Sequence, residues 1–155
     1  MQITDIYKIW QKLGKNSIGR WLFNRLIPVI NPYTGALKAK VIELNRGYAR
    51  LELKDRRGVR NHLNSIHAIA LTNLGEFTSG LALLSLFNDD MRGIPVEIKI
   101  NFVKKARGTL TAECSTELSG FNDELEQTVV ATIKDSEEDE VAIVNVIWKI
   151  GYKKD

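Results

Sequence analysis

Apolar residues at three- and four-residue intervals open the chain: Ile3, Ile6, Tyr7, Trp10 and Leu13 mark one face of an amphipathic helix that Gly14 ends. A second helical stretch starts near Ser17 and carries Ile18, Trp21, Leu22, Arg25 and Leu26. Pro28 and Pro32 predict its end, because proline brings no amide proton to a helix interior. These two helices could cover a sheet, cap a pocket or touch a membrane surface. Packing is the expectation, since their basic residues gather on no single face. Past the turn at Pro32-Tyr33-Thr34-Gly35 the period changes to two. Leu37, Ala39 and Val41 alternate with lysines, and Asn45-Arg46-Gly47 turns the chain into Ala49, Leu51 and Leu53, which predicts a β-hairpin.

A polar segment from Asp55 to His62 leads into a long helix from about His67 to Phe87, apolar on most sides. The remainder reads as strands. Val96, Ile98, Ile100 and Phe102 share one face; Leu110 to Leu118 alternate; Val129, Ala131 and Ile133 follow; Val141 to Ile150 is nearly continuous. Turns at Arg107-Gly108, at 119–123 and at the acidic run 136–139 separate them, so these four strands are expected as an antiparallel meander. A helix apolar on most sides needs cover on most sides. The predicted fold class is therefore α+β: one domain over residues 1–155, with a helical leader (1–35) and a core (36–155) in which a curved antiparallel sheet wraps one long central helix.

Composition narrows the function classes. The chain has 155 residues, 44% hydrophobic and 26% charged, enough for one sizeable core. Its net charge is +3, but 22 basic residues are interleaved with 19 acidic ones, which argues against nucleic acid and leaves room for a modest anionic ligand. The single cysteine, Cys114, excludes an intrachain disulfide and falls in a strand-like alternation where a buried, inert thiol is expected. Two histidines without clustered cysteines suggest no metal site. Charges scattered through the first thirty residues argue against a secretory signal, and polar residues interrupt the most apolar segment, so a cytoplasmic protein without a transmembrane span is expected.

Glu76 changes the picture most, as the only charged residue between His67 and Phe87. A carboxylate in an apolar helix carries a desolvation penalty, so its retention points to chemistry. With Asn61 and His67 it forms the pattern Asn61-x5-His67-x8-Glu76. Nine helical residues put His67 and Glu76 roughly half a turn and ~13 Å apart, so the two cannot meet within one chain. If they serve one site, a second copy must complete it, and a two-fold dimer is the commonest way to do so.

Several segments resemble the hotdog-fold thioesterase superfamily, specifically its thioesterase-like subfamily catalogued as a domain of unknown function. They are Gly19-Arg20-Trp21-Leu22-Phe23, Pro32-Tyr33-Thr34-Gly35, the helix entrance from Asn61 to Leu71, Leu74-Gly75-Glu76, and Ile100 to Gly108. The resemblance implies a hotdog fold and hydrolysis of an acyl-coenzyme A or other acyl thioester by a homodimer, or a dimer of dimers, without a cofactor. It implies Glu76 as general base or nucleophile, Asn61 orienting water or carbonyl, and His67 anchoring the helix entrance. Backbone amides near Ala68 and Ile69 would receive the oxyanion, and Lys104, Lys105 and Arg107 would meet coenzyme A phosphates. Similar thioesterases place small residues, often glycine, where this chain has Ala68 and Ile69. That difference keeps a non-catalytic acyl-coenzyme A or fatty-acyl binding module as the alternative, ahead of a hotdog dehydratase.

Overall fold

The computed structural model describes residues 4–153, with side chains from Ile6 onward; the expected helix position Ile3 lies outside the described residues. Three helices, α1 (Thr4–Leu13), α2 (Ser17–Ile30) and α3 (Pro32–Ala36), precede a hairpin of β1 (Lys40–Asn45) and β2 (Tyr48–Leu53). The central helix α4 (Ala68–Leu84) follows, and then β3 (Met91–Phe102), β4 (Leu110–Ser115), β5 (Glu124–Lys134) and β6 (Glu140–Tyr152).

All six strands pair antiparallel in the order β1-β2-β4-β5-β6-β3. The expected meander of the last four strands holds only for β4, β5 and β6. The chain leaves α4 at the far edge of the sheet, where β3 pairs with β6, and β4 returns to lie beside β2. Burial explains the choice. Leu110, Ala112 and Cys114 are all inward-facing and sit opposite Leu53, Leu51 and Ala49, so β4 belongs over the helix at the centre. Most of β3 is exposed and belongs at an edge.

The sheet curves around α4, which packs on β2, β4, β5 and β6 while α1 and α3 touch it from the other side. Gly75 sets how closely helix and sheet approach. A Cβ there would lie 2.3–2.8 Å from three side-chain carbons of Val144 on β6, all well inside contact distance. Gly75→Val adds three carbons to that contact and gains only a few tenths of a kcal/mol in helix propensity. It is expected to destabilise the fold by about 3 kcal/mol, read as a lower denaturation midpoint at unchanged m-value.

The helix α4 ends three residues before the expected Phe87. Ser85 stops it: its hydroxyl accepts the Gly47 N–H at 2.7 Å and lies 2.7 Å from the Ala82 carbonyl, tying the helix end to the β1–β2 turn. Gly47 makes that turn with a φ of +76°, open to glycine at little expense.

The helix α2 ends at Ile30, between Pro28 and Pro32 as expected; it runs past Pro28 because a proline in the last turn forfeits a single helical hydrogen bond. One leader expectation needs correction. The 32–35 turn is instead the short helix α3, started by Pro32 at its first turn and by the Asn31 side chain, which accepts the Thr34 N–H. Packing holds the leader on one side: Trp10 meets Phe23 edge-to-face at 4.9 Å. Asn24 then pins α2 to the outer edge of β1, accepting the Val41 N–H at 2.7 Å and donating to the Val41 carbonyl at 3.1 Å. Cys114 is buried as expected, and burial pushes its thiol up to about 12, so it stays protonated and unreactive.

Candidate active site

The entrance to α4 is built by short-range hydrogen bonds. Asn61 Oδ1 accepts the N–H groups of Leu63 (2.9 Å) and Ser65 (3.2 Å), closing a tight loop in which Asn64 takes a φ of +54°. This is the turn-closing role open to any loop asparagine. Backbone bonds from Ile66 N–H to Ala106 O (2.8 Å) and from His67 N–H to Val59 O (2.7 Å) dock the loop between two neighbouring segments. Asp55 braces the same region: it receives Arg60 Nε at 2.6 Å and the Gly108 N–H at 3.0 Å, and the Arg60 hydrogen bond holds its carboxyl below the usual range.

His67 is the N-cap of α4, with Nδ1 accepting the Ile69 N–H at 3.1 Å. An accepting Nδ1 fixes the proton of the neutral ring on Nε2. The first-turn amides of a helix have no intrahelical acceptor. Because the Ile69 amide is taken by His67, Ala68 is the one of the two expected oxyanion donors whose N–H has no acceptor among the described residues.

Glu76 lies two turns further along, on the wall of a cavity of about 270 Å³. Apolar side chains from five elements line that cavity: Ile6 of α1, Ile27 and Ile30 of α2, Phe77 and Leu81 of α4, Ile94 of β3 and Trp148 of β6. Burial alone raises the Glu76 carboxyl above its ordinary value, and no ion pair among the described residues opposes that rise. The Trp148 indole N–H is buried and makes no hydrogen bond among the described residues. An apolar chamber with one desolvated carboxylate on its wall can receive an acyl group and present its carbonyl end to a base.

One chain does not bring the expected residues together. Asn61, Ala68, Lys104 and Lys105 line one cleft of about 250 Å³. His67 and Ile69 line another, of about 290 Å³, beside Asn73, whose buried side-chain oxygen has no partner among the described residues. Glu76 faces the apolar cavity, separate from both. Lys104 is held by Asp135 and Asp139 at 2.7 Å each, two of the three acids in the only grouping of metal-type ligands found among the described residues, Asp135, Glu137 and Asp139. Lys105 and Arg107 are exposed. Sequence reasoning missed Trp148 and Asn73, which read as ordinary core and helix positions, and the α2 residues that wall the cavity. The only available signal was a polar side chain inside an apolar run.

Solved structures share this architecture. A structural-genomics protein, APC5556, superposes with a TM-score of 0.83 at 22% identity, over 97% of this chain and 98% of that one. PA5026 from Pseudomonas aeruginosa, described as a probable thioesterase, gives 0.77 at 21% identity over 86% and 95%. The thioesterase HI1161 from Haemophilus influenzae gives 0.72 at 13% identity over 89% and 94%. No curated protein matches the sequence. These likenesses establish the hotdog fold, and residues 19–150 match the model of one sequence family. The chain therefore belongs to the family described as a domain of unknown function (DUF4442), built on the fold of the hotdog thioesterases.

Proposed function

We propose that the protein hydrolyses an acyl-coenzyme A or similar acyl thioester at two equivalent sites shared between the copies of a homodimer. The observation that carries this reading is Glu76, a desolvated carboxylate without an ion-pair partner among the described residues, on the wall of an apolar cavity in the central helix. In each site Glu76 of one copy faces the α4 entrance of the other. Water attacks the thioester carbonyl carbon while Glu76 takes its proton. The oxyanion accepts the Ala68 N–H at the positive end of α4. Collapse breaks the C–S bond, and the departing thiolate recovers the proton from Glu76, giving free acid and thiol. His67 fixes the first turn of α4, and Asn61 shapes the loop before it. The exposed cations Lys105 and Arg107 offer charge to the coenzyme A phosphates, with Lys104 between its two aspartates beside them. The small cavity suits a short, medium or aromatic acyl group. An unpaired, buried thiol accords with a cytoplasmic setting.

A second reading has one observation in its favour: the Ile69 amide is already engaged, and its bulky side chain stands where close approach is wanted. The same cleft would then bind an acyl thioester without turnover. Thiol release from short, medium, long and aromatic acyl-coenzyme A substrates separates the two. A kcat/KM of about 10⁴ M⁻¹s⁻¹ or more on the best of them is expected for the enzyme. Calorimetric binding with no thiol release on any of them selects the binding module.

A further inference from the structure

The helix α2 is apolar on both faces, and only one of them is covered. Phe23 and Ile27 are buried against the body of the protein, whereas the opposite face presents Ile18 (71% exposed), Trp21 (58%), Leu22, Leu26 and Val29 (76%) to solvent. At 100° per residue Ile18, Leu22 and Val29 fall within about 40° of one another, with Trp21 and Leu26 flanking them. Arg25 is the single charge within this stripe and lies over the Trp21 ring at 5.0 Å. A helix apolar all round is ordinarily buried all round, so this face has a missing neighbour.

Charge identifies the neighbour. Between Ile6 and Ile42 every charged side chain is basic, seven in all, although the whole chain carries only +3 and the remainder is therefore net acidic. Arg25, Lys38 and Lys40 also line a groove of about 540 Å³ alongside Trp21 and Pro28, directly beside the apolar stripe. Lys38 and Lys40 beside an exposed aromatic and aliphatic stripe, with the long Arg25 side chain reaching out from it, form the pattern of a helix lying in the headgroup region of an anionic bilayer. A second copy fits poorly, because a two-fold contact through α2 sets Arg20 and Arg25 of one copy against the same residues of the other. No helix among the described residues is long and apolar enough to cross a membrane, so the contact is with the surface.

We infer that α2 docks the protein on an anionic lipid surface, with Ile18, Trp21, Leu22 and Val29 among the acyl chains and Arg25, Lys38 and Lys40 under the phosphates. Docking is independent of the hydrolytic reading and uses none of its residues.

The test is co-sedimentation of the full chain with vesicles of phosphatidylcholine alone and with a third phosphatidylglycerol. Binding to the anionic vesicles at low salt is expected, at least tenfold weaker on neutral vesicles and falling steeply as salt rises. Trp21 fluorescence should shift to the blue on binding, since Trp10 and Trp148 are already buried. Leu22→Glu and the pair Lys38→Glu with Lys40→Glu should each weaken binding more than tenfold with unchanged circular dichroism, as all three side chains are exposed. Equal binding to both vesicle types, or none to the anionic ones, overturns the inference. So does a fall in oligomeric mass of Leu22→Glu in the absence of lipid, which would assign this face to a second copy.

Discussion

Glu76→Gln is expected to lower kcat by about 10²–10⁴-fold, the usual span for loss of a positioned general base, while making the fold more stable at neutral pH. Both effects have one physical origin. Burial raises the Glu76 carboxyl above its ordinary value of 4.5, so ionising it in the folded protein is harder than in the unfolded chain. Between the ordinary and the raised value the native state binds more protons than the unfolded state. Stability therefore falls as pH rises through that window and stays lowered above it. Below the window the carboxyl is neutral in both states, and the wild type and the glutamine variant should match. Above it the variant, which never ionises at this position, should have the higher denaturation midpoint. The wild-type pH profile of kcat/KM should rise with an acid limb above the ordinary glutamate value, because only the ionised form takes a proton. Urea denaturation and thiol-release kinetics across the same pH range check both halves. Wild-type turnover by Glu76→Gln would remove Glu76 from the chemistry.

The unequal legibility of the chain follows from what each feature depends on. Periodicity is local, and so α1, the hairpin, the central helix and the buried faces of β4, β5 and β6 could be read directly, with His67 placed at the helix entrance and Glu76 in mid-helix. The course of α2 through Pro28 depends on a balance between one forfeited hydrogen bond and the packing of Ile27, Ile30 and Asn24, which no window of sequence contains. Strand order is less local still. The alternation Val96, Ile98, Ile100, Phe102 reads as a half-buried strand, yet in the single chain Val96, Ile98 and Phe102 are exposed and β3 forms an edge. The candidate site was legible as residue types, since an acid within an apolar run stands out anywhere. Its assembly was not: Asn61, His67 and Glu76 face three different cavities. The engagement of the Ile69 amide by His67 and of Lys104 by two aspartates depends on contacts that spacing does not encode.

Ile98→Glu on β3 is expected to turn the proposed dimer into a monomer and to reduce the proposed thioester hydrolysis to background, with the fold of each chain intact. The strand β3 pairs only with β6, which leaves the far side of a twelve-residue strand without a partner among the described residues, and Ile94, Val96, Ile98 and Phe102 along it are exposed. An apolar edge of that length is a template for another strand. Antiparallel pairing with the same strand of a second copy satisfies it with two-fold symmetry, so one substitution enters the contact twice and sets like charges near each other. Sedimentation velocity should show the mass halved, and circular dichroism should be unchanged because Ile98 is already exposed in the single chain. Mixing variants then tests whether each site spans two copies. Ala68→Pro removes the proposed oxyanion donor while suiting its place: proline is favoured at the first helical position, and the preceding His67 already has the extended ψ of 141° that a following proline demands. Glu76→Gln and Ala68→Pro should each be inactive as homodimers. In a heterodimer of the two, one site carries both lesions and the other carries neither, so random reassociation should restore about a quarter of wild-type activity. Recovery of nothing from mixed, still dimeric protein would mean that carboxylate and amide act within one chain, against the separation that eight helical residues impose on them.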